Sequence, residues 1–147
     1  MKKLVAFIST GAVCALALAA LSGAAPRAAA VHWGATLSAA KEVPAQTVKD
    51  TKAKGNFSAT LKGNKLKWTL TFSHLTGPAT AAHIHSGATG VAGGVVVPLC
   101  SPCKSGQTGT ATLTSSVAAM ASKNGLYVNV HTTKNPNGEI RGQISGM

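Results

Sequence analysis

Hydrophobic and polar residues alternate with a period of two through most of this chain. The clearest run is Lys65 to Phe72, where Leu66, Trp68, Leu70 and Phe72 share one face and Lys65, Lys67, Thr69 and Thr71 the other. Phe57, Ala59 and Leu61 repeat the pattern just upstream. The intervening Lys62-Gly63-Asn64 has the composition of a hairpin turn. Ala35, Leu37 and Ala39 predict a first strand, and Ala81 to His85 a short one after the Gly77-Pro78 turn. Val95 to Leu99, Thr108 to Thr114, Leu126 to Thr132 and Glu139 to Ser145 complete the set. One helical turn is expected at Val117 to Ser122, capped by Ser115 or Ser116. About eight short strands with a turn signal roughly every ten residues predict an all-β antiparallel Greek-key, immunoglobulin-like β-sandwich.

The N-terminus breaks this pattern. Lys2 and Lys3 precede an apolar run from Leu4 to Leu21, followed by small residues ending in Ala28-Ala29-Ala30. That order is the layout of a secretory signal peptide over residues 1–30, leaving one domain over 31–147. Export to a periplasm or outside the cell follows, and no transmembrane segment is expected after cleavage. Cys14 would leave with the leader. In an oxidising compartment the remaining pair, Cys100 and Cys103, is expected to form a disulfide that fixes a turn.

The chain has 147 residues and a formal charge of +11, with only Glu42, Asp50 and Glu139 acidic. Such a surface is drawn to anionic polymers. Its lysines are scattered singly, arginine is scarce, and few aromatics lie between them, so specific nucleic-acid reading is not expected. The three acids are too far apart in sequence to suggest a carboxylate pair. No nucleophile elbow or phosphate loop is present, and the chain is read as no enzyme.

The chemistry resides in the histidines. His83 and His85 flank Ile84, so a strand places both imidazoles on one face. In Leu126 to His131, Val128 and Val130 form one face and Tyr127, Asn129 and His131 the other. If the two strands lie close, three imidazoles converge into a nitrogen site for copper or zinc. The competing expectation is three structural histidines bonded to loop carbonyls. His74 and His32 are expected outside the cluster. The glycine-rich stretch Ser86 to Gly94 is expected to form a loop over the site, and Asn135-Pro136-Asn137-Gly138 a tight turn.

Four segments in order resemble the CHRD (chordin-type) domain family: Leu37 to Pro44, Ala82 to Gly87, Gly94 to Leu99, and Tyr127 to Gln143. The resemblance covers about residues 34 to 145 and is closest to short secreted bacterial members. It implies an all-β module. The growth-factor binding of animal chordin is not implied, because its cysteine-rich repeats are absent from this sequence. The resemblance also suggests a buried ion pair between Glu42 and Arg141 joining the first and last strands, with Glu139 as the rival partner. A weaker similarity, the strand His-x-His before a glycine-rich loop, is to copper–zinc superoxide dismutases. Those enzymes need further histidines and an aspartate ligand, and this chain has no Asp beyond Asp50. The reading is therefore a non-catalytic binding module, taking copper or zinc through His83, His85 and His131. The alternative is an envelope or matrix module recognising an anionic glycan or a protein, with structural histidines.

Overall fold

A computed structural model describes residues 29–46 and 52–146; all but the last two residues of the expected 1–30 leader, and Asp50, lie outside them. Nine strands form one antiparallel sheet: β1 (Val31–Ser38), β2 (Lys54–Lys62), β3 (Lys65–Ser73), β4 (Ala79–Ser86), β5 (Val95–Cys100), β6 (Gln107–Thr112), β7 (Leu126–Thr132), β8 (Ile140–Gln143) and β9 (Ser145–Gly146). Their hydrogen-bonded order is β5-β4-β7-β8-β1-β2-β3-β6, with β9 added on β1. The two ends of this path, β5 and β6, come into contact. The sheet therefore curls into a nearly closed barrel.

The period-two pattern builds the interior. Leu37, Leu66, Leu70, Ile84, Val128 and Ile140 are fully buried inside the barrel, with Trp33 and Trp68 almost so. The β2–β3 hairpin keeps one register from Lys54↔Ser73 to Lys62↔Lys65, turning through Gly63 at a φ of 60°. Cys100 and Cys103 are joined by a disulfide with Cα atoms 5.2 Å apart.

Several element boundaries differ from expectation, most of them by one or two residues. β1 begins at Val31, because Trp33 continues the inward phase of Ala35 and Leu37. It also stops at Ser38: Ala39–Lys41 form a 3-10 turn, closed by Glu42 N–H donating to the Ala39 carbonyl (3.1 Å). The helix α1 (Ser115–Ala121) is capped by Thr114, whose hydroxyl accepts from Val117 N–H, and not by Ser115 or Ser116. The final strand is split at Ile144, which turns into the core and donates its N–H to the Leu126 carbonyl.

Strand β7 is buried along nearly its whole length, on both faces. Leu126, Val128 and Val130 point into the barrel. Tyr127 and Asn129 point outward and are buried as well. The 87–94 loop lies against Tyr127, while Glu42 and Gly138 lie against Asn129. Arg141 Nη2 donates to the carbonyls of Ala88 (3.1 Å) and Val91 (2.8 Å), and Gln143 Nε2 donates to Gly87 O (2.8 Å). Gly93 is obligatory in this strap, since a Cβ there would land on the Ser86 carbonyl. A polar layer is thus sealed against the outside of β4, β7 and β8.

Candidate metal centre

His83 and His85 lie on β4 with Ile84 between them, fully buried on the opposite face. Strand β7 pairs with β4 in the register Ala81↔His131, His83↔Asn129 and His85↔Tyr127. His131 therefore lies diagonally across from His83. The ring centroids are 5.0 Å apart for His83–His131, 5.6 Å for His83–His85 and 5.8 Å for His85–His131. One ligand nitrogen from each ring can be chosen so that all three lie within 4.8 Å of one another.

Two tautomers follow from the hydrogen bonds. His85 Nδ1 is 3.0 Å from the Gly93 carbonyl, and His131 Nδ1 is 2.9 Å from the Pro136 carbonyl. A carbonyl oxygen only accepts, so both Nδ1 atoms carry the proton. Each neutral ring is left with a lone pair on Nε2. The Nε2 of His131 accepts from Nδ1 of His83 at 3.2 Å. The Nε2 of His85 is buried with no hydrogen-bond partner.

All three imidazoles are biased toward this neutral form. Burial holds each pKa below the usual histidine value. The neighbouring histidines push His83 lower still. For His85 and His131 the carbonyl bonds partly counteract the burial. Bonds of about 2 Å to a common ion put ligand nitrogens roughly 3.3–3.5 Å apart. The His83 Nδ1–His131 Nε2 contact of 3.2 Å is close to that spacing, with the His83 proton moved to Nε2 before Nδ1 can ligate, and the trio as a whole lies within 4.8 Å. Three imidazoles, with backbone carbonyls behind two of them, are residues that could hold a metal ion.

The surroundings are as ordered as the trio. The Tyr127 ring stacks on His85 at 4.9 Å with an interplanar angle of 11°, and the Arg141 guanidinium carbon lies 3.4 Å from the centre of that ring. The Tyr127 hydroxyl accepts from Gly93 N–H (3.1 Å) and donates to its carbonyl (3.3 Å). It thereby holds the carbonyl that fixes His85. Sequence reasoning placed Tyr127 and Asn129 on the histidine face. Nothing in the sequence marked Gly93 and Pro136 as the residues supplying the carbonyls.

His74 and His32 lie outside the cluster, both exposed, bonded to Ser73 Oγ and Thr60 Oγ1 respectively. Glu42 and Arg141 meet at one cleft, but the bonds expected between them are made elsewhere. The guanidinium is drawn to the loop carbonyls, and Glu42 Oε2 accepts from Asn129 Nδ2 (3.2 Å). Glu42 Oε1 and Arg141 Nη1 are both buried without a hydrogen-bond partner. Glu139 is bound by Thr76, Thr132 and Asn135 instead of Arg141.

The family model for the CHRD domain matches residues 33–144, a span that contains every residue of this layer. No curated protein and no solved structure matches the chain.

Proposed function

The chain belongs to the CHRD domain family, and we propose that it is a non-catalytic binding module that holds copper or zinc through His83, His85 and His131. The observation that carries this reading is His85 Nε2. It is a buried lone pair with no donor, on a ring whose other nitrogen is anchored to Gly93. A buried acceptor without a partner costs about 1–3 kcal/mol. A metal ion would satisfy it together with the Nε2 of His131. Imidazole donors suit copper and zinc, and the lack of a carboxylate in the set disfavours harder cations.

The signal-type leader supports a secreted or periplasmic setting, where the disulfide would persist. Among the described residues no helix is long and apolar enough to cross a membrane. Joining β6 to β5 across the barrel seam would give the circular order β1-β2-β3-β6-β5-β4-β7-β8, a Greek-key connectivity. A second reading, recognition of an anionic glycan or protein, rests on Lys54, Lys62, Lys65 and Lys67, all exposed along the β2–β3 hairpin. It predicts binding to acidic polymer that weakens with salt and ignores the histidines.

The test is calorimetric titration with Cu(I), Cu(II) and Zn(II), beside a His83→Ala/His85→Ala double variant. Micromolar or tighter binding that vanishes in the variant is the expected result. Absence of heat with all three ions, with unchanged thermal stability in their presence, would leave the histidines structural and sink the metal reading.

A further inference from the structure

A second cluster of unsatisfied polar atoms lies apart from the histidines, on the far side of the Tyr127 ring. A cleft of about 430 Å³ opens between the Ala39–Lys41 turn, the loop tip at Thr89 and Gly90, and Arg141 on β8. Glu42 and Arg141 line it, and each is at least nine-tenths buried. Glu42 Oε1 and Arg141 Nη1 have no hydrogen-bond partner, and the Oδ1 of Asn129, behind Glu42, has none either. Neighbouring atoms of the same groups are committed: Glu42 Oε2 accepts from Asn129 Nδ2, and Arg141 Nη2 donates to two loop carbonyls. Lys41 Nζ donates one of its three N–H groups to Thr36 O (2.6 Å). Just beneath the cleft wall there are therefore an Arg141 N–H and a Glu42 carboxyl oxygen without partners, both already desolvated, with the Lys41 ammonium at the rim.

We infer that this cleft is a binding site for a neutral polyol, with a vicinal pair of sugar hydroxyls bridging Glu42 Oε1 and Arg141 Nη1. The chemistry selects among ligand classes. An oxyanion would suit Arg141 but would be set against the carboxyl of Glu42. A cation would suit Glu42 but would face Arg141 and Lys41. A hydroxyl both donates and accepts. One hydroxyl can accept from Arg141 while its neighbour donates to Glu42, and the pair serves Glu42 in either protonation state. The volume falls within the range of small-molecule sites and accommodates a single sugar ring. Ala40 and Val43 give the cleft an apolar wall for the ring carbons. The site is independent of the metal reading.

The experiment is an amide- and side-chain-resolved NMR titration of the protein with methyl α-D-mannopyranoside and, separately, methyl α-D-glucopyranoside. A chelator is present throughout, so that the histidines take no part. Saturable shifts at Thr89, Gly90, Glu42 and the Arg141 guanidinium, with millimolar affinity for at least one sugar, are expected. Glu42→Ala should weaken binding about tenfold, while Glu42→Gln keeps it within about threefold. The shift map of the unaltered protein decides the matter even if Glu42→Ala does not fold. Absence of saturable shifts with both sugars overturns the inference. So does inorganic phosphate binding at the same cleft in place of the sugars. A crystal soaked in either sugar that holds only ordered water between Glu42 and Arg141 overturns it too.

Discussion

Glu139 and Glu42 are both shut away from solvent, yet their surroundings are opposite. Glu139 receives four hydrogen bonds: from Thr76 N–H (2.6 Å) and Thr76 Oγ1 (2.9 Å), from Thr132 Oγ1 (2.6 Å) and from Asn135 Nδ2 (3.0 Å). Burial alone would raise its pKa, but these bonds, led by Thr132, outweigh it and hold the carboxyl below the usual range. Glu42 receives one hydrogen bond, from Asn129. Desolvation dominates there, and its pKa is pushed up to about 7 despite Asn129 and the nearby Arg141 charge. Among the described residues, the buried side-chain atoms without a partner are Glu42 Oε1, Asn129 Oδ1, Arg141 Nη1 and His85 Nε2. All belong to the polar layer outside β4, β7 and β8 or to Glu42 against it. None belongs to the Glu139 network. One carboxylate is built into the fold, and the other stands in a region whose polar groups still lack partners. That contrast separates structural polarity from polarity available to a ligand.

The sharpest way to break the comparison is Glu139→Ala. It leaves the Thr132 hydroxyl and both the N–H and the hydroxyl of Thr76 without an acceptor, while Asn135 Nδ2 keeps only Thr76 Oγ1. Urea unfolding at neutral pH should show a loss on the order of 3–5 kcal/mol. A loss below about 1 kcal/mol would put Glu139 in the same class as Glu42.

The pH dependence of stability separates the two carboxylates next. The folded pKa of Glu42 lies above its unfolded value, so the native state holds the proton more tightly. Its contribution is fully present below about pH 4.5 and is lost as the pH rises toward 7. Glu139 has the opposite sign: its contribution is present above its unfolded pKa and disappears as the pH falls through the depressed folded value. Between pH 5 and pH 8, Glu42→Gln should therefore gain on the unaltered protein by about 2 kcal/mol, allowing for screening by solvent that reaches the cleft. Denaturant midpoints across that range measure it. A difference that does not change with pH would mean that Glu42 ionises freely in the folded protein.

Much of this layer can be read along the chain and part of it cannot, for a physical reason. The alternation of Leu66, Trp68 and Leu70 marks a face because each strand's side chains divide between two environments. His83-Ile84-His85 yields a shared face by the same rule, and Asn135 to Gly138 yields the β7–β8 turn, with Gly138 at a φ of 126°. The convergence of His131 on His83 also required the β4–β7 pairing, which periodicity alone does not supply. Partner choice is still less local. Glu139 is 63 residues from Thr76, and Glu42 is 87 from Asn129. The family resemblance suggests a Glu42–Arg141 pair, but Arg141 Nη2 donates to loop carbonyls. A backbone acceptor gives no signal in the side-chain sequence. The same limit hides Gly93 and Pro136, which fix the tautomers of His85 and His131.

His85 gives the smallest predicted stability effect and tests which side of the comparison the histidine trio belongs to. His85→Phe keeps the stacking surface against Tyr127 and removes the partnerless Nε2. It also removes the donor to Gly93 O, but that carbonyl keeps the Tyr127 hydroxyl. The lost and gained contributions are each about 1 kcal/mol and opposite in sign. Metal-free protein should therefore change by less than about 1 kcal/mol at pH 8, where the ring is neutral. In acid the variant should gain on the unaltered protein. The folded pKa of His85 is lowered, so its neutral form contributes stability above the unfolded value near 6.5 and loses it as the pH falls. Any rise in melting temperature on adding copper or zinc should disappear with the ring. A loss of several kcal/mol in the metal-free variant would instead place His85 beside Glu139, as a group the fold requires for itself.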